Sequence, residues 1–377
     1  MKIEDILGKL VSYETVSEKN NEDLADFIIK FLQNQGISAQ KIRGEKGRFN
    51  IYSRIGPDIN GGIILSGHTD VVPTTGQKWS TNPFKLKKKK NRLYARGAAD
   101  MKGFIAVVLS LIKNINKEKL KKPLHLVFSY DEEIGCIGIQ KLIPFLKKIK
   151  PKPKFCIVGE PTEMKLVNQH KGKKNFIVNF QGIESHSSLV NDGVNSISYC
   201  VQFLNFLEIK QKELKKKKNT KFSPEFTSIN VGKINGGIAV NIIPKTCEIE
   251  FEIRDIPNCN TLRIIKDIKD FLFELENKMR SQNKKCSIVF KEVNDFPPLN
   301  TKENMEIISL CLKNLNSNAL EAVSFGTEAG VFDKLGFQTV VCGPGSIKQA
   351  HKPDEFIELS QLKKCESFLT KIINSLY

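Results

Sequence analysis

The chain has no apolar run of bilayer length. Its longest stretches, such as residues 104–112, are short and interrupted, which excludes a membrane-spanning helix. Its first residues, Met1-Lys-Ile-Glu-Asp-Ile-Leu7, lack the apolar core and small-residue cleavage site of a secretion signal. Nine cysteines are scattered with no CxxC pair, a usage that fits reduced thiols in the cytoplasm rather than a disulfide framework. Arginine is sparse, so the net charge of +18 is carried mainly by lysine. Its two dense runs, Lys87–Lys90 and Lys215–Lys218, read as a loop and a helix end. Neither comes with a DNA- or RNA-binding motif or an aromatic-interleaved basic stripe, so a nucleic-acid partner is not expected. Such a field keeps the chain in solution and attracts anionic solutes. Internal repeats and long low-complexity tracts are absent as well.

What is present is a globular composition, 40% apolar and 27% charged, over 377 residues, more than one small core can use. Residues 3 to 35 carry helical periodicity with a polar interruption, and from about 50 to 160 strands alternate with helices. The segment from Met101 to Ile115 is apolar nearly all round and reads as a buried helix. This βαβ alternation predicts an α/β fold with a mainly parallel sheet and helices on both faces. Near residue 171 the pattern changes to strand, helix, two strands, helix, strand, the order of a split-βαβ module. After Pro297-Pro298 the α/β pattern resumes. The reading is a catalytic α/β domain over 1–170 and 293–377, interrupted by an inserted α+β module over 171–292.

Five potential metal ligands stand where apolar, β-branched runs stop: His68, Asp100, Glu133, Glu160 and His351. Open α/β sheets place their sites at the carboxyl ends of strands, and imidazole with carboxylate suits zinc or a similar divalent ion. In extended chain His68 and Asp70 project to one side, so Asp70 is placed to accept the second ring N–H of a ligating His68. Asp100 precedes the buried helix and reads as its N-cap, the commoner role for such a residue, or as a ligand; spacing does not separate the two. The adjacent pair Glu132-Glu133 would repel without a cation nearby. One of them can ligate while the other serves as general base. Charge counting favours a pair of ions, because Asp100, Glu133, Glu160 and one hydroxide together balance two divalent cations. His125 and His170 read as structural. His186, inside the module, reads either as a surface-turn histidine or as a donor to a developing oxyanion.

The segments Ser66-Gly-His-Thr-Asp-Val-Val-Pro73, Arg96-Gly-Ala-Ala-Asp-Met-Lys-Gly103, Asp131-Glu-Glu133 and Val158-Gly-Glu-Pro161 resemble, in order and spacing, the M20 family of metallopeptidases and deacylases. The resemblance covers essentially the whole chain. Gln169-His-Lys-Gly172, Phe325-Gly-Thr-Glu-Ala-Gly330 and Gly343-Pro-Gly-Ser-Ile-Lys-Gln-Ala-His-Lys-Pro-Asp-Glu355 are most similar to the branch that deacetylates N2-acetyl-L-ornithine in arginine biosynthesis. It implies two co-catalytic divalent ions, zinc or cobalt, bridged by Asp100. One is held further by His68 and Glu160, the other by Glu133 and His351. It also implies Glu132 as general acid/base, Asp70 as the partner of His68, and a cis peptide after Asp100. The inserted module becomes a lid and homodimerisation domain that supplies His186 across the dimer. For an N-acyl amino acid substrate, Arg254 and Asn241 are candidates for its α-carboxylate, Glu328 for the ornithine ammonium, and Thr327 lies beside it. An ion pair with Glu252 or Asp255 is the competing reading for Arg254. A sibling activity on N-succinyl-diaminopimelate is disfavoured, since that branch follows its Gly-Thr turn with Ser-Asp-Gly-Arg where this chain has Glu328-Ala-Gly-Val331. An aminoacylase, a dipeptidase and an inactive binding protein on the same fold are the remaining alternatives.

Overall fold

The strand Ile63–His68 is buried at every position, and so is its neighbour Leu124–Ser129. Runs this apolar have no solvent face, so both sides of their sheet must be covered. In the computed structural model, which describes residues 1–377, they are central members of a nine-stranded sheet. Its order from one edge is Ala39–Arg43, Phe49–Ile55, Leu124–Ser129, Ile63–His68, Phe155–Pro161, Gln338–Gly343, Leu166–His170 and Leu299–Asn300, with Leu320–Val323 also paired to Leu166–His170. The four strands from Leu124–Ser129 to Gln338–Gly343 run parallel. The strands on either side of them are antiparallel.

The helix Gly103–Ile112 is buried all round apart from Ser110, because it packs against the sheet and also beneath the helices Ile3–Ser12 and Leu359–Asn374. It is shorter than the sequence reading. Its N-cap is Lys102, and the residues before it form an irregular turn with a cis peptide between Asp100 and Met101. Lys102 is itself buried and donates to the carbonyls of Leu10 and Tyr13, thereby closing the C-terminal end of the first helix. Burial lowers its pKa to about 7.

The chain divides into two units. One comprises Met1–His170, Leu299–Ala322 and Thr327–Tyr377; the other comprises Lys171–Pro298 and Val323–Gly326. The second unit therefore extends past residue 292, because the strand Ser287–Phe296 runs on to Phe296. This unit is a four-stranded antiparallel sheet in the order Ser228–Gly236, Thr246–Arg254, Lys173–Gln181, Ser287–Phe296. Strict alternation along Thr246–Arg254 puts Cys247, Ile249, Phe251 and Ile253 on one face. That face meets Phe203 and Leu207 of the helix Ser196–Leu214 and Ile268 and Leu272 of the helix Thr261–Gln282. Both helices begin on asparagine caps, Asn195 and Asn260. The edge strand Ser228–Gly236 is exposed along most of its length.

A third, three-stranded sheet joins Lys87–Lys89, Arg92–Tyr94 and Phe356–Glu358. The first lysine run is thus an exposed edge strand, not a loop. No helix in the structure is long and apolar enough to cross a membrane.

Candidate metal centre

Strand order decides which residues meet. Four consecutive parallel strands end side by side, and their ends and following loops carry His68, the turn 130–133, Glu160 and the 344–355 loop. His68 is the last residue of its strand and is fully buried. The Asp100 turn arrives over the same ends. Asp100 is 5% exposed, and its carboxylate divides between two imidazoles: Oδ1 lies 3.1 Å from His68 Nε2, and Oδ2 lies 3.5 Å from His351 Nε2. Asp100 caps no helix, since the helix that follows takes Lys102 as its N-cap.

Two donor sets follow. Around His68 Nε2 stand Asp100 Oδ1 and Glu160 Oε1, the latter at 3.8 Å. Around His351 Nε2 stand Asp100 Oδ2 and Glu133 Oε2, the latter at 2.9 Å. His68, Asp100 and Glu133, and likewise His68, Glu132 and Glu160, offer ligand atoms within 4.8 Å of one another. The residues fit a divalent pair on a further observation. Glu160 Oε1 is buried and accepts no hydrogen bond, a state that costs free energy unless a cation faces it.

The electrostatics agree. Burial alone would lower the His68 pKa, but hydrogen bonds to Asp100 and Asp70 outweigh it and hold the ring well above its ordinary value. Asp100 is held well below the carboxylate range, because the two histidines overcome its burial. Burial, with Asp100 nearby, pushes Glu133 up to about 7 and Glu160 well above its ordinary range. Burial also raises Glu132, with Glu133, Asp70 and Asp100 adding to it against His68. Hydrogen bonds to Asp100 and Glu133 raise His351 to about 10. Imidazoles and carboxylates that shift one another in this way form a buried, closely coupled donor set.

Asp70 does more than partner His68. His68 Nδ1 is closer to the Asp70 backbone carbonyl, at 3.0 Å, than to its carboxylate, at 3.4 Å. The carboxylate instead accepts the backbone N–H of Glu132 and of Glu133 and the Ser17 hydroxyl. It therefore fixes the turn that presents both glutamates. Asp131, at positive φ in that turn, is pinned by Arg48 and by the Glu18 N–H. Ser17 and Arg48 were not singled out in the sequence, since neither belongs to a motif. They matter only because the fold brings residues 17, 48, 70 and 131 together.

The substrate-side candidates are placed differently. Glu328, the candidate for the ornithine ammonium, is fully buried and accepts the hydroxyls of Ser66 and Ser129 at 2.6 and 2.7 Å, so both its oxygens are engaged within the fold. The Thr327 hydroxyl is buried, lies 3.1 Å from His170 Nε2 and accepts the Ala329 N–H, so it too is engaged internally. Arg254 forms a two-pronged pair with Glu252, the competing reading for it. Asn241 and His186 are exposed on the second unit in one small backbone arrangement. There His186 bridges Ile242, and Ser187 N–H donates to the Asn241 carbonyl. His186 Nδ1 lies 2.7 Å from Ser188 Oγ. His125 and His170 are buried in hydrogen-bonded positions away from the donor sets.

Residues 64–375 match the model of peptidase family M20/M25/M40. An acetylornithine deacetylase of Buchnera aphidicola is 32% identical over 378 aligned residues, covering 98% of this chain and 97% of that protein. One of Aliivibrio fischeri is 30% identical, covering 99% and 98%. Among solved structures, an M20 family metallo-carboxypeptidase from Sulfolobus solfataricus superposes with a TM-score of 0.79 at 18% identity, over 100% of this chain and 99% of that one.

Proposed function

The chain belongs to peptidase family M20/M25/M40 and is a metal-dependent amide hydrolase; from that premise we propose that it removes the acetyl group from N2-acetyl-L-ornithine. The observation that carries the dinuclear reading is the division of the Asp100 carboxylate between His68 and His351. The substrate reading rests on the two deacetylase relatives, aligned over nearly their full length. Two divalent ions in these sets, zinc in our reading with cobalt as the alternative, supply Lewis-acid polarisation of the amide carbonyl and lower the pKa of the attacking water.

The chain's own residues supply the rest. Glu132, its N–H held by Asp70, presents a buried carboxylate at the cluster. Its raised pKa suits it to take a proton from the attacking water and return it to the leaving amine nitrogen. Asp70 and Asp131 keep the turn that carries Glu132 and Glu133 in place. His351 is the exposed member of the set, so substrate enters from its side. His186 donates to the developing oxyanion and comes from a second copy of the chain. The exposed edge strand Ser228–Gly236 with Val231 and Ile234, and the segment after it with Ile238 and Val240, leave apolar side chains open to solvent and support such pairing. Asn241 and Arg254 orient the α-carboxylate. The products are acetate and L-ornithine. All nine cysteines are free thiols, in keeping with a reducing cytoplasm.

Zinc-loaded protein and its Glu132→Ala variant should be compared on N-acetyl-L-ornithine, N-succinyl-diaminopimelate and a dipeptide. Acetylornithine should turn over fastest, and Glu132→Ala should lose about 10²–10⁴-fold in kcat while still binding two ions. A preference for the succinyl substrate would move the assignment to the sibling branch. Two bound ions with no turnover of any of the three would make the chain a binding protein.

A further inference from the structure

The two donor sets are supported unequally. His68 ends a fully buried strand, whereas His351 lies in a loop at φ 64° with its side chain 54% exposed. A loop residue ligates well only if something outside its own segment fixes its backbone, because ordering a free backbone costs conformational entropy.

That support comes from two distant stretches of chain. Gln77 Nε2 donates to the His351 carbonyl at 2.8 Å. Gln77 Oε1 accepts from Arg96 Nη2 at 2.6 Å and from Trp79 Nε1 at 3.1 Å, and the Arg96 guanidinium lies over the Trp79 ring. Arg96 Nη1 reaches the Lys352 carbonyl at 3.3 Å and Glu355 Oε2 at 2.7 Å. Glu355, 1% exposed, also accepts the backbone N–H of Gly97, Ala99 and Asp100, so both oxygens hold the turn that carries the shared carboxylate. Asp354 accepts both the N–H and the hydroxyl of Ser80. Residues 77–80, 96–100 and 351–355 are locked into one block whose two ends are the Asp100 N–H and the His351 carbonyl.

We propose that Gln77, held by Arg96, is a positioning residue that sets the affinity of the metal position formed by Asp100, Glu133 and His351, separately from the position formed by His68, Asp100 and Glu160, while Glu355, through the shared Asp100 turn, serves both. The inference rests on the dinuclear reading above and adds a division of labour to it. Gln77 is the informative point. Gln77→Glu keeps an acceptor for Arg96 but sets an oxygen against the His351 carbonyl, so the loop is pushed off while the buried ion pair stays intact. Outer hydrogen bonds of this kind are worth about 10–100-fold in metal affinity.

The experiment is a calorimetric titration of metal-free, full-length protein with Zn²⁺, repeated with Co²⁺ while its visible absorption is followed. Wild type should bind two ions. Gln77→Glu should bind the first with unchanged affinity and the second about 10–100-fold more weakly, with the Co²⁺ bands of the second equivalent altered. Glu355→Gln loosens the turn of the shared Asp100 as well and should weaken both ions; if it does not fold, Gln77→Glu still decides. Two ions bound by Gln77→Glu with wild-type affinities would overturn the inference, as would both affinities falling together. A wild type that binds fewer than two ions would sink the dinuclear reading itself, and this inference with it.

Discussion

Glu328 accepts hydroxyls from Ser66 and Ser129, which stand on adjacent strands, two residues before His68 and three before Glu132. Burial raises its pKa, and the two serine hydroxyls work against that rise. Glu328→Gln should therefore cost about 1–3 kcal/mol of stability, since an amide can serve both serines only imperfectly. It should leave the ratio of kcat/KM for N-acetyl-L-ornithine over N-acetyl-L-leucine unchanged. A selective loss on the ornithine compound would return Glu328 to the substrate pocket. In the sequence a carboxylate flanked by Gly326 and Gly330 looks like an exposed ligand. Its burial depends on serines about 200 and 260 residues away, which no local pattern connects to it. His68, Glu133, Glu160 and His351 were legible as candidates for the opposite reason, since each lies at an end of the large sheet's strands or in the loop that follows one; Asp100, in the turn before the buried helix, was not, and its ligand reading came from the family resemblance.

Among the elements, the strand Leu124–Ser129 carries His125 in its interior, fully buried, with Nδ1 2.9 Å from the Tyr52 hydroxyl and Nε2 without a partner. Burial, with Arg54 adding to it, lowers its pKa to about 4 from an ordinary 6.5. The folded state thus resists a proton that the unfolded chain accepts, so stability from this group is intact above pH 6.5. It falls as pH drops from 6.5 towards 4, by about 3 kcal/mol at the limit. His125→Gln keeps an acceptor for Tyr52 and does not titrate. Urea unfolding of the metal-free variant should show a flatter pH dependence than wild type across that window. Equal slopes would mean that His125 titrates normally. The parallel strands, the buried helix and the split-βαβ order were legible because their periodicities are strong. The edge strand Ala39–Arg43 was not, for its residues are polar and half-exposed and its pairing depends on Phe49–Ile55. The lysine strand Lys87–Lys89 was hidden likewise, since its β-structure comes from its partners and not from propensity.

For the whole molecule, the proposed dimer makes His186 and Glu132 belong to different chains of one site. Mixing His186→Ala and Glu132→Ala proteins, each nearly inactive alone, should restore roughly a quarter of wild-type turnover after random exchange of subunits. No recovery in a mixture shown to contain heterodimers would place both residues in one chain. The order of the large sheet has another consequence, one of timing during synthesis. His68, Asp100 and Glu160 are all made before the second unit begins, and the strands that carry His68 and Glu160 pair with each other. The strand Phe155–Pro161 must wait, because its outer neighbour Gln338–Gly343 is made almost last. Until residue 343 has left the ribosome, a half-built chain carries an open, apolar strand edge on a sheet with five of its nine strands in place. Chains that stall or are cut before that point should be the ones that aggregate or draw chaperones, while the completed chain closes its own sheet from within.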